Sequence, residues 1–280
     1  MDALPFEFVQ NVGLQSATIS FSPLADISQL SGLFGSWAEV LNKEKYVKSY
    51  YIINGKPKDT ISPWSSALSF NVPKHTLAND VKLYGSRFAN KPKTQFKLTN
   101  KLPTFLSIHE SQIDFDWISE FSSSTPITRL NVHVRFDSNV TELLKILVKT
   151  KRLLYFFTTF PTANPEERQL LIELFQQDQF RYLNFYSANP DLPLYEALET
   201  AWKANPKNFT NAYISFCGCL NVSLQGFTKS KKSSRRRYHF FQNVGSGTIW
   251  ITYEISNGCS YARLKDFLKD VRRTYVRFAA

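Results

Sequence analysis

Five short apolar segments recur through the middle of the chain. They are residues 104–109, 128–134, 153–158, 180–186 and 211–216. Taking Leu106, Leu130, Leu154, Leu183 and Ala212 as equivalent positions, the steps between them are 24, 24, 29 and 29 residues. Inside these segments apolar residues alternate, as in Leu106/Ile108, Leu130/Val132/Val134, Leu183/Phe185 and Ile214/Phe216. A period of two buries one side of a strand. The segments between them carry helical signals. Asn139 and Glu142 have capping-box spacing ahead of Leu143, Leu144, Leu147 and Val148. Asn164-Pro165-Glu166-Glu167 combines a cap, a first-turn proline and acids placed against the helix dipole. Pro193 opens a third helix that buries Leu194, Ala197, Leu198, Ala201 and Trp202.

One strand and one helix in each 24 to 29 residues matches leucine-rich-repeat geometry. Single units of that kind cannot bury their own face and must stack. A conventional α/β domain also alternates strands with helices, and it stays open as the second reading. The asparagine that true repeats place just past each strand is missing here. The expected fold is α/β: an irregular leucine-rich-repeat-like strand–helix array over 101–222. A small helical segment occupies 1–45 and a connecting segment 46–100. At 223–280 a C-terminal β-hairpin plus helix packs on the array, the helix starting near Ser260 and burying Leu264, Phe267, Leu268 and Val271. In a stacked parallel ladder the outward residues are Ser107, Asn131, His133, Asn184 and Tyr186. This polar and aromatic set suits a partner surface. It also suits any solvated strand face.

Charge narrows the partners. The net charge is +11, and six positive charges sit in one run: Lys229, Lys231, Lys232, Arg235, Arg236 and Arg237. Such a run reads as an import tag, as an anion or nucleic-acid contact, or as a solvated hairpin loop. Three cysteines (Cys217, Cys219 and Cys259) make no disulfide framework and no four-ligand zinc set. The four histidines, at 75, 109, 133 and 239, have no metal or triad spacing. No glycine-rich phosphate loop, nucleophile elbow or zincin motif is present. No metal or cofactor is expected. Without a signal-peptide pattern or an apolar span of about 18 residues, the expected address is cytoplasm or nucleus, with no membrane contact.

The N-terminal residues carry a resemblance. Met1-Asp2-Ala3-Leu4-Pro5-Phe6-Glu7-Phe8-Val9 is followed by an apolar stripe, Ile27, Leu30, Phe34, Trp37 and Leu41, at steps of three and four. With Leu174-Phe175-Gln176-Gln177-Asp178-Gln179-Phe180, these words resemble the nematode proteins in which a degenerate F-box precedes an F-box-associated domain. The resemblance implies that Leu4, Pro5, Phe8, Val9, Leu30 and Trp37 contact a Skp-type adaptor. The other reading of Leu4 to Leu41 is a cap over the core of the main domain. The functional expectation follows from the resemblance. The chain is a protein-binding adapter, the substrate-recognition subunit of a cullin-type ubiquitin ligase, with an unknown protein substrate and no catalysis of its own. A stand-alone protein-interaction domain is the alternative. Nucleic-acid binding centred on the basic run ranks last.

Overall fold

The computed structural model describes residues 45–54, 56–63, 75–84, 96–98, 101–109, 115–162, 164–187, 190–209, 212–230, 236–255 and 270–279. No helix among them is long and apolar enough to cross a membrane. The chain divides into two compact units. Unit 1 is Met1–His109 with Ser124–Ile127, and unit 2 is Glu110–Ser123 with Thr128–Ala280.

Unit 1 contains strands β1 (Lys45–Ile53), β2 (Lys56–Pro63), β3 (His75–Tyr84) and β4 (Thr104–Ile108), ordered β2-β1-β3-β4. β1 and β2 form an antiparallel hairpin whose turn residue Asn54 adopts φ 51°. Asparagine is among the few non-glycine residues that tolerate this region. β1 pairs β3 in parallel, and β3 pairs β4 in parallel. Ile52, Val81, Leu83, Leu106 and Ile108 are buried. The buried Asn79 is satisfied on both its parts: its N–H donates to the Pro103 carbonyl at 2.9 Å and its side-chain amide to Thr104 Oγ1 at 3.4 Å.

Unit 2 takes its strands in the order β5-β6-β7-β8-β12-β11-β10-β9. The parallel half is β5 (Ile127–Val132), β6 (Tyr155–Thr158), β7 (Tyr182–Phe185) and β8 (Tyr213–Cys217). The antiparallel half is β9 (Thr228–Lys229), β10 (Arg237–Val244), β11 (Gly247–Ile255) and β12 (Val271–Ala279). β12 joins the halves by pairing antiparallel with β8. The helices are α1 (Phe115–Ser124), α2 (Ser138–Thr150), α3 (Pro165–Phe175) and α4 (Leu192–Ala204). Crossovers of one hand put successive helices on one face, and α2 packs on α3 and α3 on α4.

The expected repeat array is corrected by this topology. A leucine-rich array stacks like units, each strand parallel to the last. Here β5 to β8 are parallel, but they are one half of a mixed sheet that β12, β11, β10 and β9 continue antiparallel from β8, not a stack of like units. The missing repeat asparagines were the physical sign, since nothing in the loops enforces a repeated turn. The C-terminal helix is corrected at its described end: Val271 begins a nine-residue strand. Residues 260–269, where that helix was expected to start, lie outside the described residues. From Thr274 onward period two governs, with Thr274, Val276 and Phe278 buried between less buried neighbours.

The caps follow side-chain chemistry. α2 is capped by Asp137, not Asn139: Asp137 Oδ1 accepts the Val140 N–H at 2.9 Å from extended backbone. α3 starts as the sequence suggested. Asn164 Oδ1 accepts the Glu167 N–H at 3.0 Å, and the Glu167 carboxylate accepts from Asn164 Nδ2 at 2.9 Å. α4 is capped by Asp191, which also takes two hydrogen bonds from Thr162. Each cap contributes about 1 kcal/mol.

The covered face of the sheet is defined by aromatic packing. The Phe278 ring lies 6.3 Å from Phe175 of α3, 5.9 Å from Trp202 of α4 and 5.8 Å from Phe209. Trp202 Nε1 donates to the Ala279 carbonyl at 3.3 Å. A Cβ on Gly247 would stand 2.6 Å from Trp202 Cζ2 and 2.8 Å from the Ala279 carbonyl oxygen. Only glycine lets β11 begin beneath that indole.

Candidate functional site

The face of unit 2 opposite Phe278 carries most of its chemistry. Strand register aligns its residues in rows. One row runs from Arg129 through Tyr155, Tyr182 and Tyr213 to Arg277 and Trp250. The next runs from Asn131 through Phe157, Asn184 and Ser215 to Tyr275 and Thr252. A third holds Cys217, Arg273, Glu254 and Arg237. Among the described residues of these rows four arginines face one acid, Glu254.

Where the halves of the sheet meet, Tyr213, Trp250, Thr252, Tyr275 and Arg277 line a groove of about 170 Å³. The Arg277 guanidinium sits 5.3 Å from the Tyr213 ring centre, within cation–π range. Arg129 makes the same contact with Tyr155 at 5.7 Å. Beside the groove the Tyr275 hydroxyl donates to Glu254 Oε2 at 3.1 Å, and Arg237 lies 3.6 Å from the same oxygen. Hydrogen bonding to Tyr275 favours the charged form of Arg273 and raises its pKa. Burial raises the pKa of Tyr155, against the opposing pull of Arg129 and Arg181. Burial also raises that of Tyr182. These phenols stay protonated donors at neutral pH.

A hydrogen-bonded chain crosses the parallel half. Tyr182 and Ser215 hydroxyls lie 2.7 Å apart, and Ser215 donates to Asn184 Oδ1 at 2.8 Å. Rings continue past it: Phe157 is 6.0 Å from Tyr186 and 5.4 Å from His133. Burial lowers the His133 pKa.

Of the expected ladder residues, Asn131, His133, Asn184 and Tyr186 belong to unit 2. The first three are half-buried and Tyr186 is 55% exposed. Ser107 lies in β4 of unit 1 and is only 3% exposed. Leu4, Pro5, Phe8, Val9, Leu30 and Trp37 lie outside the described residues, as do Lys231, Lys232 and Arg235. Of the basic run, Lys229 sits in β9 with its ammonium 4.9 Å from the Tyr238 ring centre, and Arg237 opens β10. Cys217 and Cys219 are free thiols, and burial raises the Cys219 pKa. No group of His, Cys, Asp and Glu among the described residues could hold a metal.

The groove residues Tyr275 and Arg277 are hidden in the sequence because Val271, just before them, completes a helical stripe. Period two in Arg273-Tyr275-Arg277 against Thr274-Val276-Phe278 was the signal available.

No family model and no curated protein matches the chain. Two solved chains are similar in part, both pyridoxal kinase from Staphylococcus aureus. One, in complex with pyridoxal, is 9% identical over 55% of this chain and 62% of that chain, with a TM-score of 0.28. The other is 8% identical over 52% and 54%, with a TM-score of 0.27. The match thus spans less than two thirds of either kinase's own length. Likeness this slight assigns no activity. The expectation of a non-catalytic ligase adapter is corrected on other grounds: nothing identifies an F-box domain, and the repeat array meant to capture a substrate is replaced by a mixed sheet.

Proposed function

We propose that the open sheet face of unit 2 recognises a small anionic ligand that carries a flat ring, of the nucleotide class. The observation that carries this reading is the groove lined by Tyr213, Trp250, Thr252, Tyr275 and Arg277. Flat rings stack on aromatic side chains, each such contact being worth about 1–3 kcal/mol for a nucleic base. An arginine beside the stack meets a phosphate with a planar set of donors. Both elements are present at one place, and the excess of arginine over acid on the face favours an anion. Serine and threonine hydroxyls add polar contacts that fix orientation.

Isothermal titration calorimetry with AMP, ATP and a short single-stranded oligonucleotide tests the reading. Saturable binding of a free nucleotide, weakened at least tenfold (about 1.4 kcal/mol) by Arg277→Gln, is the expected result. Absence of binding at millimolar AMP and ATP would overturn it. Binding of the oligonucleotide alone, with steep loss in salt, would replace the free ligand by a strand.

A further inference from the structure

The proton count in the Tyr182–Ser215–Asn184 chain has one solution. Ser215 has a single hydroxyl proton, and it is donated to Asn184 Oδ1, an atom that can only accept. The 2.7 Å contact between Tyr182 and Ser215 must therefore run from the tyrosine hydroxyl to the serine oxygen. Ser215 is fully buried, so its proton has no solvent alternative. The Asn184 carbonyl oxygen faces Ser215, and its Nδ2, carrying two N–H donors, makes no hydrogen bond among the described residues.

We propose that Asn184 is the specificity-determining donor of this face, meeting a phosphate oxygen of the nucleotide whose ring lies in the groove, with Ser215 and Tyr182 as its positioning residues. This rests on the nucleotide reading above and deepens it. An amide turned this way offers donors to its ligand, so it favours groups that only accept, such as phosphate or carboxylate oxygens. Distance sets the ligand's length. Asn184 and Tyr275 are two strands apart in one register row. At about 4.8 Å per strand that is roughly 10 Å. A ligand that fills the groove and reaches Asn184 must extend well beyond its ring, which favours a nucleoside triphosphate over a nucleoside or its monophosphate.

The test compares adenosine, AMP and ATP on the full chain and on Asn184→Asp, Asn184→Ala and Ser215→Ala, with thermal melts to verify folding. Asn184→Asp keeps the size, and still accepts from Ser215, but sets an acceptor where the ligand needs a donor. The expected result is a tenfold or greater loss for ATP, a smaller loss in Asn184→Ala, and unchanged adenosine binding in both. Ser215→Ala frees the amide to rotate and is expected to narrow the preference of ATP over adenosine. Wild-type binding of ATP that is the same in Asn184→Asp and Asn184→Ala overturns this inference and leaves the groove reading standing. Failure of the wild type to bind any of the three overturns the groove reading itself.

Discussion

On β12 the covered side presents Thr274, Val276 and Phe278, all at 0% exposure, while the opposite side presents Arg273, Tyr275 and Arg277. The two faces alternate along one nine-residue strand, and period-two geometry alone separates them. The covered face is close-packed: Phe278 touches rings from α3, α4 and the segment after α4. The open face is instead held together by hydrogen bonds and cation–π contacts between half-buried groups. Burying apolar area stabilises the fold at about 25 cal/mol per Å², whereas exchange of water for a ligand is what an arginine–tyrosine surface provides. On the reading proposed above, stability and recognition fall on alternate residues, and substitutions on the two faces should separate them.

The largest effect is expected from Phe278→Ala, which empties the ring cluster and should cost about 3–5 kcal/mol. A denaturant melt measures it. Loss of less than about 1 kcal/mol would mean that the cluster is not the core of the unit. Next is Gly247→Ala. The added methyl meets an indole carbon and a backbone carbonyl, and overpacking of this kind costs about 1–3 kcal/mol. Trp202→Phe in the same background should recover part of it if the indole is the obstacle. Arg277→Gln should leave the melting temperature close to that of the wild type while weakening binding. If it lowers both together, the division between faces fails.

The smallest effect concerns pH and sharpens the comparison from the open side. Burial holds the folded-state pKa of His133 below its ordinary value of 6.5. Below pH 6.5 the unfolded chain therefore binds more protons at this position. The contribution is complete above that value and is lost as pH falls through the folded pKa. Melting temperatures of the wild type should drop more between about pH 7 and pH 5 than those of His133→Asn. Equal drops would place the pH sensitivity elsewhere.

Much of unit 2 was legible in the sequence because its parallel half is built from local signals. Leu130, Leu183 and Ile214 alternate with polar neighbours, and Asn164-Pro165 and Pro193 mark helix starts at which α3 and α4 do begin. The α2 cap falls two residues before the expected one because Asp137 and Asn139 are both good capping residues, and only backbone geometry selects between them. The antiparallel half was harder. Val271 fits a helical stripe with Leu264, Phe267 and Leu268, while the residues after it fit a strand. The place of β12 between β8 and β11 depends on pairing with residues more than fifty positions earlier. The groove inherits that difficulty, since Tyr213, Trp250 and Arg277 come together only through long-range register. The ladder residues could be picked out because they lie on or beside strands whose period is visible, but a single periodic list could not tell that Ser107 is buried and Tyr186 exposed.

The insertion of β12 between β8 and β11 has a consequence for synthesis on the ribosome. The hairpin of β10 and β11 and the parallel strands through β8 leave the exit tunnel before residues 271–279 do. Until that segment arrives, β8 and β11 each present a row of unsatisfied N–H and carbonyl groups, the kind of edge that recruits other chains. The nascent protein therefore passes through a stage with two sticky edges, and the strand that emerges after both is the one that closes them.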